Sequence, residues 1–306
     1  MASGFLPRSE GFVPSSSGSR LYYRRLGRGP QTVVIPLATW WGSQADVLAD
    51  RMDVVLYDPR GRGRSDAITD DTPVGIDAAV ADLESVRLHL DLQRISLIGW
   101  SYLGAVVMLY AAAHLPAVDR IVLVGPLVPR REPFWGQFMA DYSARAARVG
   151  EQDVCDRALR PDESDSGAPA NATVVRRKRL AAILPQLGDT SVAGRIVDTV
   201  GTDLPNEDPD TLAKLSPKSM AAVGNWDFRA AAGDVTAPVL IVRGSDDNIP
   251  LAGCVEWVDV LPNARLLRIA GAGHYPFYER PAGFFAAVGE FLDGHWPAES
   301  DERPER

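Results

Sequence analysis

Four short apolar runs in the first half of the chain set the narrowest limit on how it can fold: "TVVIPLA" (32–38), "DVVLYDP" (53–59), "ISLIGW" (95–100) and "RIVLVGP" (120–126). A strand with one wet face alternates apolar and polar residues. A run that does not alternate belongs to a strand covered on both faces, the situation inside a parallel sheet flanked by helices. Between these runs Ile76, Val80, Leu83, Val86 and Leu90 recur at helical spacing, and a second helix is predicted from the turn after residue 100 to His114. Strand and helix therefore alternate, which predicts an α/β fold with a mostly parallel central sheet. "RLYYRRLG" (20–27) alternates like a half-exposed strand.

From residue 130 to 234 the rhythm changes to helix-like pieces with no convincing strand. "RPDESDSGAPANAT" (160–173) reads there as a polar loop and a mobile lid segment. "APVLIVRG" (237–244) and "ARLLRIA" (264–270) restore the strand signal, and a closing helix buries Phe284, Val288, Phe291 and Leu292. The expected organisation is a core of residues 1–129 and 235–295, a helical cap of 130–234 inserted after the sixth strand, and a disordered polar tail of 296–306.

At 306 residues, 46% hydrophobic and 24% charged, the chain has the composition of a globular enzyme. A net charge of −8 argues against nucleic acid or an acidic membrane surface as partner. Two basic runs point the other way, "PRGRGR" (59–64) and "VRRKR" (175–179); the second reads as a solvated helix face. Cys155 and Cys254 stand far apart without Cys or His companions, so neither a disulfide nor a metal site is expected. No long apolar segment marks a signal peptide or a membrane span, which gives a cytoplasmic address as the default. The expected partner is a small-molecule substrate, and the sequence permits a homo-oligomer.

Ligand chemistry in an open α/β sheet collects at the carboxyl ends of the strands. There "ISLIGW" delivers Ser101, "VLIVRG" delivers Asp246 and Asp247, and "LLRIA" delivers His274. A serine hydroxyl needs a base to take its proton as it attacks, and the base needs an acid to fix its tautomer. Histidine is scarce, and none of His89, His114 and His295 follows a sheet strand. Ser101, His274 and one of the two aspartates are thus the candidate nucleophile, base and acid.

The chain resembles the α/β-hydrolases with a helical cap. The resemblance is carried by "RLYYRRLGRGP", "YDPRGRGRSD", "LIGWSYLGA", "IVRGSDDNIP" and "GAGHYPFYERP", in that order. Within the family the chain is most similar to proline iminopeptidase-like enzymes and small-molecule esterases. The resemblance implies that Asp247 is the acid, since the spacing from Gly244 matches the family's acid turn, with Asp246 as the alternative. It implies that "PRGRGR" is a structural turn rather than a nucleic-acid patch, and that neither metal nor organic cofactor is needed. A serine nucleophile sets the chain apart from the haloalkane dehalogenases and epoxide hydrolases of this fold, which attack with an aspartate.

Two departures stand out. The serine turn has Gly99 two places before Ser101 but Leu103 two places after it, where the family has a small residue. The turn is read as intact but locally widened; the other reading is a relic in a ligand-binding protein. The oxyanion donors are expected to be the backbone N–H of Tyr102 and one from "PLATWWG", where the family's glycine-rich turn is missing. Thr39 is preferred there over Ala38 and Trp40.

Trp40, Trp41, Trp135, Phe138 and Tyr275 are the predicted pocket residues, which suits an apolar or aromatic ester, lactone or amide. The alternatives are an iminopeptidase-type aminopeptidase, a C–C bond hydrolase and a non-catalytic binder. An aminopeptidase would need a cap carboxylate for the substrate's amine, and Glu151, Asp153, Asp156, Glu163 and Glu207 are available.

Overall fold

The computed structural model describes residues 7–151, 170–302 and 304. Among the described residues the strands are β1 (Ser9–Pro14), β2 (Arg20–Leu26), β3 (Thr32–Pro36), β4 (Asp53–Tyr57), β5 (Ile95–Trp100), β6 (Val118–Val124), β7 (Val239–Gly244) and β8 (Ala264–Ile269). They form one sheet in the order β1-β2-β4-β3-β5-β6-β7-β8. Only the β1–β2 and β2–β4 pairings are antiparallel; every other pairing is parallel. Every residue of β4, β5 and β7 is buried, as their unbroken apolar runs require. The edge strand β1, "SEGFVP", carries a weak signal and was not expected: it alternates between partly and fully exposed residues over most of its length.

The core helices are the short α1 (Ala38–Trp41), α2 (Ile76–His89) and α3 (Tyr102–Ala113). Between β6 and β7 come α4 (Phe134–Glu151), α5 (Ala170–Ile183), α6 (Ala193–Val200), α7 (Pro209–Val223) and α8 (Arg229–Gly233). After β7 follow α9 (Leu251–Val260), α10 (Pro276–Glu279) and α11 (Pro281–Leu292). The helical insertion leaves after the sixth strand, and its base is pinned by a bridge between Arg130 and Asp227. Phe228 N–H donates to Pro129 O at 2.7 Å and Arg131 N–H to Trp226 O at 3.0 Å. Phe284, Val288, Phe291 and Leu292 of α11 are fully buried. The lid expected at 160–173 and Cys155 fall on or largely on residues outside those described.

Two expectations need correction. The tail does not lose structure at residue 296: Asp301 bridges Leu266 through hydrogen bonds of 2.8 and 2.9 Å. Trp296 packs on Phe291 with ring centres 5.0 Å apart, and Arg265 lies 4.8 Å over the Trp296 ring. One large aromatic anchors a segment whose polar composition alone reads as disordered. The run "VRRKR" is not uniformly solvated either. Lys178 pairs with Asp210 at the surface, but Arg179 is buried and donates to the backbone carbonyls of Gly201 and Glu207.

Candidate active site

Ser101 sits between β5 and α3 with φ 57° and ψ −127°, a conformation that costs a non-glycine residue about 1–3 kcal/mol. Hydrogen bonds on both sides impose it. Ser101 N–H donates to Val124 O at 2.9 Å, and its carbonyl accepts from Gly104 N–H at 2.9 Å and Leu127 N–H at 3.0 Å. The turn is crowded at Gly99, where an added Cβ would meet Leu103 O at 2.5 Å. It is crowded again at Gly104, where a Cβ would lie 2.9 Å from Pro126 Cβ. The second tight position thus falls three residues after Ser101. Leu103 is spared it and instead lines the cavity in front of the serine.

The turns after β7 and β8 meet beside it. His274 Nδ1 lies 3.0 Å from Asp247 Oδ1 and 3.2 Å from Oδ2, and both residues are buried. Asp246 points outward and takes the Ser245 hydroxyl, so of the two neighbouring aspartates Asp247 meets the imidazole. Buried Arg243 fixes the turn after β7 through the carbonyls of Gly244, Ser245, Asp247 and Ile249. Trp100 Nε1 donates to His274 O at 2.8 Å, tying the residue before Ser101 to the turn after β8. Ser101, Tyr102, Leu103 and His274 line one cavity of about 370 Å³, together with Leu37, Trp40, Trp100, Gln186 and the Leu215–Met220 side of α7. Among the described residues Ser101 Oγ makes no hydrogen bond, which leaves it open to the cavity.

The structure rearranges the expected oxyanion turn and pocket. Thr39 is not a free donor: its N–H binds Asp58 Oδ1 at 2.9 Å and its hydroxyl Asp58 Oδ2 at 2.8 Å. Leu37, Trp40 and Trp41 N–H are also taken, by Tyr57 O and, for the two tryptophans, by Leu37 O. Ala38 N–H, first in α1, is the one in this turn with no acceptor among the described residues. Of the predicted pocket residues only Trp40 lines the cavity. Trp41 is fully buried and stacks on Phe277 at 4.0 Å. Tyr275 is buried behind Trp100, 4.8 Å between ring centres. Trp135 and Phe138 stack on each other at 5.2 Å, and Trp135 also meets Trp226 edge-on at the base of the cap. These contacts keep Trp41 and Tyr275 within the core and Trp135 and Phe138 within the cap, so their bulk goes into packing rather than into the cavity wall.

Buried charges were the larger omission. The "PRGRGR" turn sends Arg60 to Asp82 and Arg62 to Glu207, while Arg64 lies over the Tyr22 ring. Glu207, from the cap, is fully buried. It accepts Arg62 Nε and Nη2 at 3.0 Å each, Gly63 N–H at 2.7 Å and Trp40 Nε1 at 2.6 Å. Burial works against its charge, but these donors outweigh it and hold the carboxyl below its usual range. Asp58, beside it, is pushed by burial up to about 6, with its own N–H donors opposing and the Glu207 charge adding. No local pattern marks Glu207 in "LPNEDPD"; only the folded chain carries it 144 residues back to Gly63. The side chains of Glu151, Asp153, Asp156 and Glu163 lie outside the described residues.

Among the described residues no helix is long and apolar enough to cross a membrane. Residues 30–281 match the family described as alpha/beta hydrolase fold. The chain is 30% identical over 287 residues to polyketide synthase ThaQ of Burkholderia thailandensis, a match covering 90% of this chain but 12% of that protein. It is 27% identical over 247 residues to the proline iminopeptidase of Lactobacillus delbrueckii subsp. lactis, covering 78% of this chain and 80% of the relative. Among solved structures the esterase EaEST from Exiguobacterium antarcticum superposes with a TM-score of 0.69 at 16% identity, covering 94% of this chain and all of that one. With its mostly parallel sheet, its strained serine turn and a family match that runs across most of its length, the chain belongs to the α/β-hydrolase fold family.

Proposed function

We propose that this hydrolase cleaves an ester, lactone or amide of a small uncharged substrate through an acyl-enzyme on Ser101. The observation that carries the reading is the buried Asp247–His274 contact of 3.0 Å at the wall of the cavity into which the strained Ser101 opens. His274 takes the serine proton as Oγ attacks the carbonyl, then returns it to the leaving group; Asp247 holds Nδ1–H and steadies the imidazolium. Tyr102 N–H, at the start of α3, receives the developing oxyanion, and Ala38 N–H is the donor left over in the opposite turn. Water then releases the acyl group by the same relay.

The cavity wall favours a neutral ligand. Arg60 and Asp82 neutralise each other, and Arg62 and Glu207 do the same. Leu37, Trp40, Trp100, Leu103, Leu215 and Met220 supply apolar surface. Glu207 is the cap carboxylate nearest the requirements of an aminopeptidase, but four hydrogen bonds already occupy it, so an incoming ammonium finds no free charge there. The esterase-type reading is therefore preferred over the iminopeptidase one.

Fluorophosphonate labelling tests the reading. The wild-type protein takes up the probe and Ser101→Ala does not; aryl esters of short and medium acyl chains turn over while a proline arylamide does not. Labelling that survives Ser101→Ala, or none in the wild type, would replace this reading with the non-catalytic one. Rapid turnover of the arylamide would return the aminopeptidase.

A further inference from the structure

The carboxylate of Glu279 lies in α10, five residues beyond His274, and has no part in the relay above. It is buried, and four backbone N–H groups converge on it. Oε1 accepts from Gly273 at 2.9 Å and Tyr275 at 3.1 Å, the two neighbours of His274. Oε2 accepts from Gly188 and Asp189 at 2.8 Å each, both in the cap between α5 and α6. One oxygen therefore serves the base turn and the other serves the cap.

The two segments are also in direct backbone contact. His274 N–H donates to Gln186 O at 2.8 Å, and Gln186 lines the cavity. A Cβ on Gly273 would lie 2.3 Å from Gln186 O, and one on Gly188 would lie 2.9 Å from Gly273 N. Arg280 adds an ion pair to Asp189 at 3.0 Å. No arginine or lysine pairs with Glu279 among the described residues, so the fixed dipoles of the two turns carry its charge. A charged acceptor makes each such bond stronger than its neutral counterpart, and four on one carboxylate fix both turns relative to it.

We propose that Glu279 is a positioning residue that fastens cap residues Gln186–Asp189 to the turn carrying His274, so that the base is held in place only while this side of the cap is seated. The inference rests on the serine-hydrolase reading, and it makes the cap part of the base's support rather than a cover alone. It also assigns the two oxygens different tasks. An amide at this position can serve one turn with its oxygen but must present N–H donors to the other.

The test uses the full-length protein, active sites counted by fluorophosphonate and kinetics measured with an aryl ester. Glu279→Gln is expected to lower kcat per labelled site, and the rate of labelling, by about a hundredfold, the scale of a misplacement near 1 Å, with KM little changed. Gly188→Ala keeps the carboxylate but presses the cap turn off the base turn, and should give a smaller loss of the same kind. It provides the reading if Glu279→Gln fails to fold. A merely structural role would lower thermal stability and leave kcat per labelled site at the wild-type value in both variants, which would overturn the inference while leaving the hydrolase reading intact. If the wild-type protein takes no label at Ser101, the hydrolase reading itself falls and the inference falls with it.

Discussion

Two arginines two residues apart in the turn after β4 make ion pairs of opposite kinds, each to a fully buried carboxylate. Arg60 reaches Asp82 on α2, entirely within the core, and also donates to the carbonyls of Pro73 and Ala78. Arg62 reaches out of the core to Glu207 in the cap. In both pairs burial alone would penalise the charges, and a partner with near-planar geometry offsets it. The first pair fastens one core element to another. The second joins the cap to the turn that carries Trp40, because Glu207 also holds Trp40 Nε1. Neighbouring residues in one turn thus tie core to core and cap to core separately.

Breaking the pairs one at a time is the strongest way to test that separation. Asp82→Asn leaves Arg60 buried without its counter-charge and should cost about 3–5 kcal/mol, whereas Glu207→Gln leaves Arg62, whose side chain is 24% exposed, and should cost less. The responses should differ in kind. Asp82→Asn lowers the midpoint of global unfolding. Glu207→Gln exposes the cap to protease under conditions where the core still melts as one unit. Denaturant melts paired with limited proteolysis separate the two, and identical proteolysis patterns would erase the distinction.

A sharper comparison concerns Asp58, which packs under the same turn with no arginine ion pair among the described residues and which burial pushes up to about 6 from 3.8. A carboxyl whose folded value is raised binds its proton more tightly in the folded state. Its contribution to stability is therefore full below pH 3.8 and is lost as pH rises to about 6. Over that window Asp58 should remove about 3 kcal/mol from the wild type that Asp58→Asn, with nothing to titrate, retains. Melts of the two proteins from pH 4 to 7.5 should draw together or cross in favour of the variant as pH rises. A constant difference would show that Asp58 does not titrate in this range.

The smallest effect belongs to the cap's surface. Lys178→Ala removes an exposed pair with Asp210 and should change stability by no more than about 1 kcal/mol, an effect that fades with salt. Arg179→Ala, one residue on, removes a buried cation from two carbonyls and should cost clearly more. Equal losses would mean that this basic run behaves as a single solvated face after all.

The core was legible because its signals are local. Unbroken apolar runs announce strands buried on both faces, and Ile76, Leu83 and Val86 mark the buried side of α2 before any contact is known. The places of the candidate site residues were legible for the same reason, since chain order puts Ser101, the Asp246–Asp247 pair and His274 just after three strands of one parallel sheet. The oxyanion turn was not. Thr39 has the right position in sequence, but Asp58, delivered by a different strand, has taken its N–H. The aromatic residues misled in the same way: sequence announces that Trp41 and Tyr275 are bulky and close to reactive residues, but not which side of the wall they occupy.

Sequence by itself determined the strand–helix alternation, the insertion after the sixth strand, the family, and which of four histidines follows a sheet strand. Each depends on periodicity or on order along the chain, which survive without a fold. Tertiary structure alone decided that Asp247 rather than its neighbour meets His274, and that Glu207 and Glu279 bind the cap to the core. Those choices turn on hydrogen bonds between groups far apart in the chain, and a buried carboxylate's partners exist only once folding has brought the donors to it.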